Sequence, residues 1–230
     1  MGSHRANPNL ARLTAAVKRL SPLLSQIAFV GGCVTGLLIT DPAAGPLRTT
    51  LDVDAIVEIA SYAEFARFEN QLLGLGFQRD TAVICRWLAD DLVLDLMPTD
   101  PYILGFSNRW YSPALKHARA IRLGDRDIRV ATAPYFLATK LEAFRGRGNN
   151  DYQMSHDVDD VVTILDGRPE VVEEVSKSAA DLRHYLSEEF RSLLVNRAFH
   201  DALPGHLLPD AASQQRITIV RSRIQQIIDL

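Results

Sequence analysis

Three aspartates interrupt apolar segments of this chain, in positions where carboxylates can do metal chemistry. Asp52 and Asp54 lie in the apolar segment 51–59, and Asp95 lies in the segment 92–97. A charge among apolar residues is costly unless it is paired or bound to metal. Alternate residues of a strand face the same side, so Asp52 and Asp54 project together, about 6–7 Å apart at the backbone. We expect the three carboxylates to bind Mg²⁺ (or Mn²⁺), as two ions, together with nucleotide phosphates.

A purely structural interpretation of the acids is the alternative. An Asp-x-Asp pair is common, and alternate acids often form only the solvated face of a strand. Asp52 and Asp54, however, share their predicted face with Ile56, and Asp95 has apolar residues on both sides. Together with the glycines described next, this pattern favours a functional site.

A pair of glycines directly follows the apolar segment Ile27–Val30. Gly31 and Gly32 can adopt backbone conformations that other residues avoid, and they let a phosphate approach the main chain. The predicted helix 33–39 offers its N–H groups to the same anion. A tight turn that needs small residues is the alternative. A P-loop is excluded because Gly36 is followed by two leucines rather than by Lys-Ser/Thr, and the dinucleotide fingerprint fails on glycine spacing.

The elements that position these residues form an α+β plan. Hydrophobic periodicity predicts strands at Ile27–Val30, 51–59, 83–87, 92–97, 118–123 and 128–131. It predicts helices at 10–24, 33–39, 62–75, 134–145, 156–166, 169–198 (with breaks) and 211–229. We expect a hairpin turn at 88–91 and a loose region at about 98–114. The chain is thus predicted to contain a small mixed-sheet catalytic core (5–132) with flanking helices, and a helical C-terminal region (133–230) packed on it.

These residues, in this order, resemble the DNA polymerase β-like nucleotidyltransferase superfamily. Its signature is Gly-Gly or Gly-Ser opening a helix, an Asp-x-Asp strand, and a third Asp on a nearby strand. The segment 134–143, which contains Lys140, resembles the lysine helix of the bacterial AbiEii-like and MenT-like toxin branch. The segment 157–162 resembles the Lys-Asp-x-x-Asp helix that follows in that branch, although His156 stands where lysine is usual. The likeness covers about residues 25–167.

The resemblance implies a reaction and a set of site residues. The reaction is transfer of a nucleoside monophosphate from NTP to a hydroxyl, either on RNA such as the tRNA 3′ end or on a small molecule. The implied metal ligands and catalytic groups are Asp52, Asp54 and Asp95, with Lys140 as the cation that holds the triphosphate. The implied nucleotide-binding residues are Gly31, Gly32, Thr35, Lys140, Asp157 and Asp160. The toxin branch also implies an antitoxin partner protein.

The longer than usual spacing before the acids predicts an insertion. Nineteen residues separate Gly32 from Asp52, and breakers at 41–46 indicate that 41–50 is an inserted loop over the site.

Composition restricts the compartment and the partners. The net charge is −3, which gives no whole-protein attraction to nucleic acid or to an anionic membrane. Two cysteines are too few for a disulfide framework, and no charge-free apolar segment reaches the roughly 18–20 residues of a membrane span. With no apolar core at the N-terminus, we expect a cytoplasmic protein with no membrane partner.

Two other functions fit part of the pattern. A metal-dependent glycosyltransferase also uses Asp-x-Asp to hold a nucleotide sugar, but it predicts neither the Gly-Gly pair nor a third embedded Asp. A non-catalytic nucleotide-binding regulatory module is the other alternative, against which the complete set of acids argues.

Several further residues have both a functional and a structural interpretation. Arg145 and Arg147 could contact phosphates or be merely exposed, and Cys33 could be a nucleophile or a small buried residue. Three aromatic residues could stack on a base or fill the core, with core packing favoured; they are Trp87, Trp110 and Tyr111.

Overall fold

The structure, a computed structural model, describes residues 8–59, 61–106 and 108–230. Residues 5–7 of the predicted catalytic core lie outside this range. By its contacts the chain divides into two compact units. The first contains the described residues up to Gly36 together with Arg48–Thr132, and the second contains Leu37–Leu47 together with Ala133–Leu230.

A mixed sheet organises the first unit. In the described residues it has seven strands: β1 (Ile27–Val30), β2 (Val53–Val57), β3 (Gln78–Arg79), β4 (Arg86–Ala89), β5 (Leu92–Pro98), β6 (Arg119–Leu123) and β7 (Arg126–Val130). Their order across the sheet is β3-β4-β5-β2-β1-β7-β6. The β2–β5 and β1–β7 pairs are parallel, and the other neighbours are antiparallel. The four residues of β1 are all buried, as expected for a strand in the middle of a covered sheet.

The α-helices follow in chain order: α1 (Pro8–Arg19), α2 (Thr35–Leu38), α3 (Tyr62–Gly74), α4 (Pro101–Leu104), α5 (Tyr111–Lys116), α6 (Ala133–Arg147), α7 (His156–Gly167), α8 (Val171–Ser176), α9 (Ala180–Val195), α10 (Arg197–Ala202), α11 (Ala211–Gln215) and α12 (Ile217–Ile228). Short 3-10 turns lie at Ser21–Leu23, Gly32–Val34 and Leu203–His206. Within the described residues, none of these helices combines the length and the apolar character that a membrane span requires.

The predicted fold class is confirmed, since a mixed sheet with flanking helices precedes an all-helical segment. Helix starts follow the capping residues in the sequence. Ser61 accepts a hydrogen bond from the Glu64 N–H at 3.3 Å, and Ser155 accepts one from the Val158 N–H at 3.4 Å. Each serine satisfies one backbone donor that has no partner inside the helix.

The hairpin between β4 and β5 differs from its prediction. The sequence predicts a strand at 83–87 and a turn at 88–91, whereas β4 is Arg86–Ala89 and the turn contains only Asp90 and Asp91. The tight turn is possible because Asp90 adopts a φ of 51°, a conformation that Asp tolerates better than most residues. This register buries Trp87 and Ala89, whereas Leu88 points to solvent.

Other differences arise where a local pattern is weak. The predicted helix 10–24 ends at Arg19, and a 3-10 turn contains Pro22, whose ring fits only the first turn of a helix. The helical segment 169–198 has the breaks that its prediction allowed, and it is divided among α8, α9 and α10. The loose region contains α4 and α5, and the two-residue strand β3 is too short and too exposed to produce a pattern.

The segment Leu37–Leu47 belongs to the second unit because Gly167 of α7 and Arg216, which directly precedes α12, hold it there. The N–H groups of Thr40 and Asp41 both donate to the Gly167 carbonyl at 3.0 Å. Arg216 donates to Asp41 at 2.7 Å and to the buried Asp166 at 2.6 Å. Most of the predicted inserted loop is therefore anchored by helices that lie more than 100 residues later in the chain.

Candidate active site

The three predicted carboxylates, Asp52, Asp54 and Asp95, lie in or next to one row of paired residues across the first unit's sheet. Arg86 of β4 is paired with Asp95 of β5, and Asp95 is paired with Asp54 of β2. Residues directly opposite each other on neighbouring strands share a face, so these three side chains lie on the same side of the sheet. Asp52 directly precedes β2, two residues from Asp54. The structure thus brings the three predicted carboxylates to one face.

A cation that the sequence interpretation did not single out lies among these carboxylates. Arg86 donates from Nε to Asp95 Oδ1 at 2.7 Å and from Nη2 to Asp95 Oδ2 at 2.8 Å. The same Nη2 donates to Asp52 Oδ2 at 3.2 Å. The contact with Asp95 is the two-pronged guanidinium–carboxylate geometry that fixes both position and orientation.

Hydrogen bonding to Asp95 raises the pKa of Arg86 above its usual range, so its charge is permanent. Burial, with a further contribution from the Asp95 charge, raises the pKa of the neighbouring Cys85 thiol to about 11. Cys85 is therefore a neutral thiol at physiological pH, which argues against a nucleophilic role for it.

Asp52 is positioned by α1 through the residues that precede β2. The buried Asn9 donates to the Arg48 carbonyl at 2.8 Å and accepts from the Thr50 N–H at 2.9 Å, and Arg12 donates to the Thr50 carbonyl. Thr50 then donates from its hydroxyl to Asp52 Oδ1 at 2.5 Å. Asp52 thus accepts hydrogen bonds on both of its carboxylate oxygens.

Gly31 is required by the side chain of Asp54. Gly31 has a φ of 70°, and a Cβ added there would lie 2.0 Å from Asp54 Oδ2 and 2.6 Å from its Cγ. Both the backbone conformation and the space exclude a larger residue. The immediate reason for this glycine is therefore the carboxylate of the Asp-x-Asp pair, in addition to the room for phosphate that the sequence suggested.

The segment after the glycines forms the 3-10 turn Gly32–Val34 and then one turn of α-helix. Thr35 is buried at 3% exposure, and its hydroxyl has no hydrogen-bond partner among the described residues. A buried hydroxyl without a partner is costly, which is consistent with a ligand group as its partner.

Lys140 lies in an ion-pair network within the second unit. Its Nζ is 2.6 Å from Asp160 Oδ2 and 3.2 Å from Asp157 Oδ1, and the side chains of all three are nearly buried. Arg147 donates from Nε and Nη2 to the same Asp157 at 3.1–3.2 Å. The spacing of Asp157 and Asp160 on α7 places both carboxylates toward α6, which carries the lysine. Their roles toward a nucleotide stay predictions.

The donor set of the first unit's site fits a hard divalent cation. Among the described residues, no group of three or more His, Cys, Asp or Glu side chains forms a metal-ligand cluster by itself. Mg²⁺, however, is ordinarily held by one or two carboxylates together with substrate phosphates and water. Asp52 and Asp54 supply such a pair, whereas both oxygens of Asp95 accept from Arg86.

The remaining candidates have structural contacts. Arg145 pairs with Glu189 at 2.5 Å. The Cys33 thiol is buried and donates to the Val30 carbonyl at 3.2 Å. Trp87 and Trp110 are buried, as their default interpretation predicted, Tyr111 is partly buried, and His156 is exposed on α7.

Arg86 could have been found from the sequence only with the correct hairpin. A turn at 88–91 places Ile84 opposite Asp95, whereas the observed two-residue turn places Arg86 there. An arginine beside a buried tryptophan gives no other local signal.

Among the known proteins compared with this chain, similarity is found in structure and not in sequence. No family model matches the sequence, and no curated protein matches it. A nucleotidyltransferase-like antigenic protein from Paracoccidioides brasiliensis is similar in structure, with a TM-score of 0.53 at 16% identity, covering 86% of this chain and 93% of that one. JHP933 from Helicobacter pylori has a TM-score of 0.49 at 14% identity, covering 100% of this chain and 94% of that one. The chain has a nucleotidyltransferase-like fold.

Proposed function

We propose that this protein is a metal-dependent nucleotidyltransferase that moves a nucleoside monophosphate from NTP to a hydroxyl acceptor. The observation that carries the proposal is the arrangement of Asp52, Asp54 and Asp95 on one face of the sheet, with Asp54 against Gly31. The nucleotidyltransferase-like fold supports it.

In the proposed reaction the acceptor oxygen forms a bond to the α-phosphorus of the NTP. The bond from that phosphorus to the bridging oxygen breaks, pyrophosphate leaves, and the hydroxyl proton is lost to a base. Mg²⁺, when bound at these carboxylates, would activate the attacking oxygen and neutralise charge on the leaving pyrophosphate. Asp52 and Asp54 would hold the divalent ions, and Asp95, oriented by Arg86, would complete the site and help to activate the hydroxyl.

Two sets of residues are proposed for nucleotide binding, each on its own grounds. In the first unit, Gly31 and Gly32 leave room for phosphate, and the buried Thr35 hydroxyl is available to an oxygen of the ligand. In the second unit, Lys140 is proposed as the phosphate-binding cation because of its sequence resemblance, with Asp157 and Asp160 orienting its ammonium group.

The acceptor is proposed to be RNA, such as a tRNA 3′ end, or a small molecule. A toxin role with a partner antitoxin follows from the resemblance to the AbiEii-like and MenT-like branch. The net charge of −3 disfavours a broad RNA footprint, but an acceptor end needs only a few phosphate contacts.

Transfer of radiolabel tests the proposal. The protein is incubated with each α-labelled NTP, Mg²⁺ and total cellular RNA, and in parallel with a small-molecule extract. We expect label in one acceptor class, reduced by roughly 100-fold or more in Asp52→Ala, because that change removes a charge placed for the transition state. Asp125→Ala, in an exposed turn of the same unit, is the matched control.

Each result of this experiment bears on the proposal. Label in RNA supports an RNA acceptor, and label in the extract alone supports a small-molecule acceptor. No label in either fraction, with no pyrophosphate released, contradicts the nucleotidyltransferase proposal. Turnover of a nucleotide sugar in place of NTP would instead support the glycosyltransferase alternative.

A further inference from the structure

Arg86 is a cation built into a site that the proposed reaction fills with metal ions. We propose that Arg86 is the resident counter-cation of the carboxylate cluster and that a divalent ion binds in competition with it, taking Asp52 while Arg86 stays on Asp95. The inference rests on the proposed function only in requiring a divalent ion at these carboxylates.

The contacts of Arg86 are unequal in a way that predicts which one is released. Asp95 receives two hydrogen bonds, at 2.7 and 2.8 Å, through the Nε–Nη2 edge of the guanidinium. Asp52 receives one, at 3.2 Å, from a nitrogen that already donates to Asp95. Asp95 is also the more buried of the two carboxylates, with 13% of its side chain exposed against 31% for Asp52. The weaker and more exposed contact is the one that a solvated cation can replace.

Burial explains why the site holds a cation of its own. Carboxylates on neighbouring strands repel one another, and the cost grows when water is excluded. Arg86 is itself only 28% exposed at its side chain and lies on the strand next to Asp95, so it offsets this repulsion before any ligand arrives. The same positive charge must then repel an incoming Mg²⁺.

Two other roles for Arg86 make different predictions. If Arg86 serves only to hold the β4–β5 hairpin, its loss lowers stability and leaves metal affinity unchanged. If it prepares the carboxylates for the ion, its loss weakens metal binding. Competition alone predicts that neutralising Arg86 tightens metal binding.

Binding of Mn²⁺ to the full-length protein without nucleotide, measured by electron paramagnetic resonance, separates these roles. We expect Arg86→Gln to lower the Kd for Mn²⁺ by about tenfold or more, because a charge next to the ion is removed. Arg86→Lys keeps the charge and is expected to stay within about threefold of the wild type. Arg122→Gln, which removes an exposed arginine from β6, is the matched control and should leave the Kd unchanged. An unchanged or higher Kd in Arg86→Gln overturns the proposal.

If circular dichroism shows that Arg86→Gln does not fold, a second measurement on the wild type tests the proposal instead. The Nη2 resonance of Arg86, assigned by its absence in Arg86→Lys, should shift during a Mg²⁺ titration with the midpoint of metal binding, because Nη2 is the nitrogen that donates to Asp52. A resonance that does not move through saturation overturns the proposal.

Failure of the reaction and failure of this inference are distinguishable. Tighter Mn²⁺ binding in Arg86→Gln without any transfer of label supports the counter-cation and contradicts the nucleotidyltransferase. Transfer of label with an unchanged Mn²⁺ affinity in Arg86→Gln contradicts the counter-cation alone.

Discussion

At the scale of single residues, the candidate site depends on where two acidic side chains have been placed. Asp54 extends over the α-carbon of Gly31, so the glycine and the carboxylate need each other's geometry. Asp52 is held by Thr50 from one side and by Arg86 from the other. Such prior hydrogen bonding reduces the side-chain freedom that a ligand would otherwise have to remove.

Gly31→Ala tests the first of these placements. The added methyl group would collide with the Asp54 carboxylate. In addition, a residue with a Cβ would lose about 1–2 kcal/mol in adopting a φ of 70°. We expect the free energy of unfolding to fall by about 2 kcal/mol and label transfer to be lost, because Asp54 must move. Denaturant titration measures the first effect.

Gly74→Ala is the control for this substitution, since a Cβ at Gly74 meets nothing within 4 Å and the residue ends α3. It should be neutral or slightly stabilising. Equal stability of Gly31→Ala and the wild type would show that Asp54 does not occupy this position.

At the scale of elements, buried polar contacts attach irregular segments to regular ones. His206, in the 3-10 turn Leu203–His206, has Asp159 Oδ1 at 3.1 Å from Nδ1 and the Tyr152 carbonyl at 2.8 Å from Nε2. Both partners only accept hydrogen bonds, so both contacts form together only when the ring carries two protons. Burial opposes that charge, but the bonds to Asp159 and Tyr152 outweigh it and raise the pKa of His206.

The raised pKa makes this attachment dependent on pH. The pKa of His206 is higher in the folded than in the unfolded protein. The stability that the protonated ring contributes is therefore fully present below the unfolded-state pKa, and it is lost as the pH rises through the folded-state pKa. We expect the difference in free energy of unfolding between the wild type and His206→Gln to be larger at pH 5.5 than at pH 8.5, by roughly 1 kcal/mol or less.

The measurement is denaturant unfolding of both proteins across that pH range. His156→Gln controls for general effects of pH, because His156 is exposed at the start of α7, the helix that carries Asp159. A difference for His206→Gln that stays constant, or that grows toward high pH, would contradict a protonated His206 in the folded protein.

At the scale of the whole molecule, each compact unit is assembled from separate stretches of chain. The second unit takes Leu37–Leu47 from the middle of the first, and Arg216 connects that segment to α7. The guanidinium donates to Asp41, to the Asp166 carboxylate and to the Asp166 carbonyl at 3.0 Å. Because Asp166 is only 3% exposed, loss of Arg216 would leave a buried carboxylate without its ion-pair partner.

Arg216→Gln should therefore destabilise the protein by about 3 kcal/mol, the typical cost of leaving a buried charge without its partner. Chemical denaturation measures the loss. Arg197→Gln removes an arginine whose side chain is 94% exposed and whose pair with Asp201 spans 3.7 Å, so it should change the free energy of unfolding by less than about 0.5 kcal/mol. Similar losses in the two variants would contradict a structural role for the Arg216 contacts.

Local patterns in the sequence were sufficient for much of the fold and for most of the candidate site. Strand Ile27–Val30 has its predicted bounds, and helix α7 differs from its predicted range by one residue. The carboxylates and glycines were identifiable because each contrasts with the residues beside it in the chain. Lys140, Asp157 and Asp160 were candidates only through the resemblance of their segments to the toxin branch, and the structure brings the three side chains together.

Tertiary structure alone decided which distant groups meet. Arg86 faces Asp95 because the two-residue turn and the burial of Trp87 select one register, and a shift of that register would place another residue there. Leu37–Leu47 lies with the second unit because of Arg216 and Gly167, far along the chain. Contacts of this kind depend on the packing of whole elements, whose free energy is not expressed in the periodicity of any one segment.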